Sequence, residues 1–234
     1  MERMKAILVL VSSIAFAVAP IVSPPFAGYR PDQFPVPQID PPIQPPGWTF
    51  SIWLLIYVWL IVSAVYGLAK RADDPAWDHP RWPLFLSLCF GAAWLPVATI
   101  SPIWATVLIW AMLVAAVLAL FRAPRSETPW LAAPLGLYAG WLTAAACVST
   151  AITFTGYGME PVMPTHLGLL CLALAIGIGV LLQRAEPFYG LALAWALVGV
   201  MASNLFPPQY LFLIVGGAGL LIIGWLCLPR DRAA

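Results

Sequence analysis

Charge is what this chain has least of. Asp, Glu, Lys and Arg make up 9% of its 234 residues, against roughly 25% in soluble domains. A chain so poor in charge cannot cover itself with a solvated surface, and its composition is that of a polytopic membrane protein. With a net charge of +1 it has no electrostatic footprint for nucleic acid or for an acidic soluble partner. The four cysteines, Cys89, Cys147, Cys171 and Cys227, all lie inside apolar runs. None stands in a loop where a disulfide would be useful and no CxxC exists, so they read as small buried hydrophobes. The only histidines, His79 and His166, fall in predicted loops. That argues against mid-membrane axial ligation of haem, although His166 could ligate something at the outer rim. Both read first as solvated loop side chains. No acid, base or histidine falls in the interior of a predicted span, which argues against a proton- or sodium-coupled carrier. Ser-His-Asp, HExxH and glycine-rich phosphate signatures are missing too.

Long apolar runs are what the chain does have. Eight are separated by short joints carrying helix breakers, which gives an all-α polytopic transmembrane helix bundle of about eight helices. The first runs from Ala6 to Val22 behind Arg3 and Lys5. Ala17-Val18-Ala19 resembles a signal-peptide cleavage site, but Pro20 would then be the first mature residue, so retention as a helix is the preferred reading. The others are Trp48 to Ala69, Trp82 to Ile100, Ile103 to Phe121, Trp130 to Thr155, Leu167 to Leu182, Pro187 to Leu205 and Tyr210 to Leu228. The third and fourth are joined so tightly at Ser101-Pro102 that they must form an antiparallel hairpin. Between the first and second lies a loop, 23–46, with nine prolines. Proline cannot continue a helix or donate to a ladder, so this loop is extended and stiff. It carries Phe26, Tyr29 and Phe34 and is either a lid over the bundle or a plain connector.

Basic residues test the topology. With both termini cytoplasmic, Arg3, Lys5, Lys70, Arg71, Arg81, Arg122, Arg125, Arg184, Arg230 and Arg232 all lie inside and only Arg30 lies outside. The predicted site is a bacterial inner membrane, with the lipid bilayer as solvent.

Twelve tryptophans are present. Trp82, Trp104, Trp130 and Trp225 stand near predicted helix ends and suit an interfacial belt. Trp53, Trp59, Trp94, Trp110, Trp141 and Trp195 lie deeper, where an indole N–H needs a partner, and are expected to line a cavity or helix contacts. In Pro45-Pro46-Gly47-Trp48-Thr49-Phe50-Ser51-Ile52-Trp53-Leu54-Leu55-Ile56-Tyr57 a proline turn opens a helix. Phe50, Trp53 and Tyr57 then share one face at i, i+3 and i+7. Such a stripe can face lipid, a neighbouring helix or a ligand. Polar groups inside the membrane are mostly hydroxyls, concentrated in the fifth helix (Thr143, Ser149, Thr150, Thr153 and Thr155), most of them expected to bond back to their own helix. Asn204 is expected to cap its helix or meet water.

The Pro45–Trp53 stretch with Tyr57 resembles the signature that opens the second helix of the TspO/MBR family, the tryptophan-rich sensory and translocator proteins. Leu137-Tyr138-Ala139-Gly140-Trp141 with Ala145 and Ser149 is similar to that family's fifth-helix pattern, and Trp94 stands where the third helix has a tryptophan. Leu137, Ser149 and Gly91 replace a proline and two asparagines of the family pattern. The resemblance covers roughly residues 1–155. It implies a TspO-like five-helix membrane core there, with three C-terminal helices added over 156–234, as in a larger eight-helix bacterial branch. It further implies a homodimer or membrane complex, no catalytic residue, and a pocket for a porphyrin, other tetrapyrrole or flat hydrophobic molecule. Carried over residue by residue, that pocket is Trp48, Phe50, Trp53, Tyr57, Trp94, Tyr138, Trp141 and Ser149. A non-enzymatic receptor or regulator is the leading expectation. A transporter of a hydrophobic or neutral solute and a structural subunit of a pigment-containing membrane complex are the alternatives. A link to porphyrin breakdown would fall on Trp53 and Trp141.

Overall fold

The computed structural model describes residues 2–24, 26 and 28–228. Among them are eight long helices and no strand: α1 (Glu2–Val22), α2 (Ile52–Lys70), α3 (Arg81–Ile100), α4 (Pro102–Arg122), α5 (Ala133–Gly156), α6 (Val162–Gln183), α7 (Pro187–Ser203) and α8 (Tyr210–Cys227). Seven segments are long and apolar enough to cross a membrane. The eighth, α7, has 17 residues, which rise about 26 Å. Its caps at Glu186 and Asn204 bring it close to the roughly 30 Å of a hydrocarbon core.

Successive helices run between two ends of the bundle. At one end Gln33 Nε2 donates to the Ala98 carbonyl at 2.9 Å, Val36 N–H to Gly156 at 3.0 Å and Asn204 Nδ2 to Pro42 at 2.7 Å. This is the lid end. At the other, Arg81 Nη1 donates to the Glu2 carbonyl at 3.1 Å, Arg184 Nη1 to Ala123 at 2.8 Å, and Arg71 pairs with Glu127 at 2.8 Å. Here lie Arg3, Lys5, Lys70, Arg71, Arg81, Arg122, Arg125 and Arg184, whereas Arg30 is at the lid end. Arg230 and Arg232 lie outside the described residues.

Local chemistry explains most boundaries. Ser101 ends α3 and caps α4, accepting from the Trp104 N–H, with Pro102 in the first helical position. The α2 entrance differs from the single helix expected from Trp48. Residues Gly47–Ser51 form a tighter 3₁₀ turn in which Thr49 Oγ1 donates to Pro46 at 2.6 Å. A helical turn, Pro75–Asp78, fills the α2–α3 joint, where no helix was expected. Asp74 caps it by accepting from the Ala76 N–H at 2.9 Å, and Trp77 is buried beneath it. The sixth helix begins at Val162, five residues before the expected Leu167, because Pro161 and Pro164 sit where a first turn accepts proline. That shift overturns one reading. His166 is not a solvated loop side chain but fully buried in α6, with Nε2 3.1 Å from the Thr155 hydroxyl. His79 is exposed, as expected.

Four of the six deeper indoles find partners. Trp59 Nε1 donates to Pro129 at 3.0 Å, Trp94 to Ala105 at 2.9 Å, Trp110 to the Thr150 hydroxyl at 2.8 Å and Trp195 to Thr49 at 2.9 Å. The four expected in the belt are 40–63% exposed.

One helix is unlike the rest. The most apolar stretch of α5 is 89% buried, against 28–44% for the other six spans. Helices α2, α4, α6 and α7 all pack on it. Its contact with α7 is backbone to backbone. A Cβ on Gly140 would collide with the Tyr189 carbonyl, so only glycine allows this approach. Three residues on, the Thr143 and Tyr189 hydroxyls meet at 2.7 Å. Gly140→Val is expected to cost about 1–3 kcal/mol through overpacking and to lower the thermal midpoint in detergent. Gly217→Val on α8, where a Cβ meets nothing within 4 Å, should leave the midpoint unchanged.

Candidate ligand-binding site

Two chambers lie side by side under the lid. The first occupies the space between α1, α2, α3, α4 and α5, with a cavity volume of about 220 Å³. Half of its lining is aromatic: Phe16, Phe26, Phe50, Trp53, Tyr57, Trp94 and Trp141. The second, a smaller cavity of about 70 Å³, lies between α4, α5, α6, α7 and the loop. Phe26, Phe50, Trp94, Ile109, Trp141 and Ala145 line both, so they form the partition.

The rings are held by one another. Trp53 and Tyr57 stack with centroids 5.4 Å apart and planes 15° apart, as neighbours on one helix face can. Phe16 of α1 drives its edge into both, at 5.7 and 4.9 Å. Trp141 receives Phe50 at 5.9 Å and Trp53 at 6.1 Å, both edge to face. Each such pair contributes about 0.5–1.5 kcal/mol beyond its buried area, so the cluster is a rigid wall. Gly91 makes room for it, since a Cβ there would strike the Phe16 ring and the Met112 methyl. Trp141 is 2% exposed, yet its Nε1–H has no hydrogen-bond partner among the described residues. A buried donor without an acceptor is costly.

The eight residues expected in the pocket are divided by the structure. Phe50, Trp53, Tyr57, Trp94 and Trp141 line the first chamber. Ser149 lines the second, where its hydroxyl is 2.7 Å from Tyr29 Oη and 2.8 Å from Thr106 Oγ1. Tyr138 is fully buried outside both chambers, one turn nearer the basic end than Trp141, with Oη 2.9 Å from Ser87, which donates to Met112 at 2.8 Å. Its ring packs against Phe16 at 5.7 Å and Trp53 at 6.5 Å, behind the chamber wall. Trp48 lies outside both, 49% exposed, its ring edge-on to Trp195 at 5.2 Å. Its role is to pin the start of α2 onto α7.

Loop 23–46 is a lid. Phe26 lies edge-on to Trp94 at 5.2 Å, and Tyr29 reaches Ser149. Gln38 Oε1 accepts from Thr155 at 2.7 Å, and the Gln44 carbonyl accepts from Ser203 at 2.9 Å. Burial pushes the Tyr29 hydroxyl pKa up, with its bonds to Ser149 and Thr106 pulling the other way. The hydroxyl therefore stays protonated at neutral pH, and the latch is a neutral hydrogen bond.

A family model described as TSPO-like protein matches residues 6–227. The chain belongs to the TSPO-like family. The match runs past the signature stretches through α6 and α7 to the last residue of α8. No curated protein and no solved structure matches the chain. Within this TSPO-like fold, two contributors to the site went unread in the sequence. Phe16 is the single aromatic of α1, which was the available signal. The α7 wall is built of small and aliphatic residues that carry no chemical mark.

Ser149→Ala removes the latch partner, worth about 0.5–1.5 kcal/mol for an ordinary hydrogen bond. Amide exchange across residues 28–38 should become severalfold faster, while that of α5 stays as it was.

Proposed function

We propose that this TSPO-like membrane protein is a receptor or regulator that holds a flat, apolar, porphyrin-like molecule in the first chamber. The unpartnered indole N–H of Trp141, buried among the rings, carries this reading, because an acceptor on a bound ligand would satisfy it. An apolar, ring-lined chamber suits a planar π-system. The walls carry no acid, base or histidine, so a tetrapyrrole would be gripped by stacking and by this one donor, without axial ligation. For the same reason the chamber suits binding better than catalysis. The lid tied to the helix ends favours holding a molecule over passing it through. The positive-inside rule supports a cytoplasmic basic end, and the likeness to a bacterial branch of the family supports a bacterial inner membrane.

Protoporphyrin titrated into the detergent-purified protein should give a saturable shift of its own Soret band. Trp53→Ala and Trp141→Phe should each weaken binding about fivefold or more, the loss of roughly 1 kcal/mol. Trp48→Phe, outside the chamber, should not. A shift that never saturates, or is equal in all variants, would end the receptor reading. Solute moved by the purified protein in sealed vesicles would favour a transporter, and fixed copurifying partners a structural subunit.

A further inference from the structure

At the basic end, Arg71 pairs with Glu127 at 2.8 Å, and Lys5 and Arg81 pair with Asp78 at 2.5 and 3.4 Å. Arg184 has no such counter-ion among the described residues, although it is only 5% exposed. Its Nη1 donates to the Phe121 carbonyl at 3.4 Å and to the Ala123 carbonyl at 2.8 Å. Its Nε and Nη2 are buried and have no hydrogen-bond partner among the described residues. Those two groups form the edge of the guanidinium that grips a carboxylate or phosphate with two parallel bonds. Arg125 lies close by. This exposed side chain donates from Nη2 to the Gln183 carbonyl at 3.4 Å, one residue before Arg184, and the two like charges repel. Arg122, also exposed, stands between the two residues whose carbonyls Arg184 holds. The acid nearest in the chain is Glu186. It makes no ion pair with Arg184, and its own Oε1 lacks a partner among the described residues. Its side chain packs over α5, where a Cβ on Gly136 would strike its Cγ. Burial pushes its carboxyl above the usual carboxylate range, with the Phe188 N–H and Arg184 pulling the other way. A buried charge is costly unless it is paired, and this one has two more of the same sign beside it.

We propose that Arg184, Arg125 and Arg122 form a binding site for a phosphate-bearing anion at the basic rim, between the ends of α4 and α6, the phosphate being carried by an acidic lipid head or free in solution. The Arg184 fork supplies two parallel bonds, and the two exposed arginines supply further charge. Basic pockets between transmembrane helices at the cytoplasmic side receive acidic lipid heads in this way. Phe121 and Leu182, 38% and 64% exposed, stand next to the cluster on the same two helices, so an acyl chain has apolar surface to follow away from the head. Both unpartnered N–H groups are covered in this structure, so the phosphate reaches them as the exposed Arg122 and Arg125 side chains rearrange around it. A zwitterionic head brings no net charge for the three arginines to neutralise. The site lies at the opposite end from the lid and stands whether or not the first chamber holds a porphyrin.

The test is native mass spectrometry of the detergent-purified full chain, titrated with phosphatidylglycerol or with phosphatidylcholine of the same acyl chains. The unmodified protein should bind phosphatidylglycerol about fivefold or more tighter, since each basic residue brought to an anionic head is worth roughly that factor. Arg184→Gln, which loses both the charge and the fork, should remove most of the preference. Arg184→Lys, which keeps the charge alone, should retain only part of it. The double variant Arg122→Gln/Arg125→Gln changes exposed side chains only and should lower the preference about fivefold or more. It covers the case in which Arg184→Gln does not fold. Lys70→Gln, which removes an exposed charge from the end of α2 at the same rim, should leave the preference intact. Displacement of phosphatidylglycerol by excess inorganic phosphate would assign the site to soluble phosphate, and its failure would assign it to the lipid. Equal binding of the two lipids by the unmodified protein, or a preference unchanged in both Arg184→Gln and the double variant, would overturn the inference. So would an equal loss in Lys70→Gln, which would show diffuse attraction to the whole basic end.

Discussion

Burial of α5 on every side is the constraint on which the rest depends. A helix that meets protein all round must present something each neighbour can pack against. It does so with small residues and hydroxyls: Gly140 against the backbone of α7, Thr143 against Tyr189, Thr150 against Trp110, Ser149 and Thr153 against Thr106. In a membrane, where lipid is as apolar as leucine, close backbone approach and interhelical hydrogen bonds supply the association that the hydrophobic effect does not. The same helix then carries Trp141 and Ala145, whose side chains become the common wall of two cavities. Helix α5 is thus both the packing axis and the divider of the binding space.

The lid follows from a second constraint. A loop with nine prolines has few backbone donors and cannot build its own hydrogen-bonded structure. It is held instead by bonds to the helix ends. Donors on α5 and α7 and in the joint after α7 reach Gln38, Gln44 and Pro42, while the loop's own Gln33 and Val36 donate to α3 and α5. These ties come from both sides of the partition, so the lid closes both chambers together.

Much of this was legible in the residues. Apolar run lengths, breakers and the basic asymmetry placed the helices, and the Pro45–Tyr57 stretch marked a ring-lined wall. What failed did so for local reasons. The start of α6 was misplaced because Pro161 and Pro164 were read as joint residues where they open a helix, and this left His166 outside α6. Trp48 was placed in the pocket by the family resemblance, but it stands in a 3₁₀ turn with its ring against Trp195. Tyr138 shares α5 with Trp141, but its hydroxyl is taken by Ser87, and that pairing between distant segments leaves no trace in periodicity. The second chamber was invisible for a different reason. Alanine, leucine and valine look alike whether they face lipid, a helix or a cavity, and only the packing of α6 and α7 distinguishes these cases.

The central claim, that α6 and α7 enclose α5 from the side opposite α2, can be tested by the accessibility of single nitroxide labels to membrane-dissolved oxygen. Labels would be placed at consecutive positions of α5 from Leu142 to Val148, with α2 positions 54–60 as the reference. The account predicts uniformly low oxygen collision along α5 and a helical oscillation along α2, whose Leu54, Leu55 and Val58 face outward. An oscillation along α5 as large as that of α2 would show a lipid-facing side on that helix, and with it both the shared wall and the second chamber would fall.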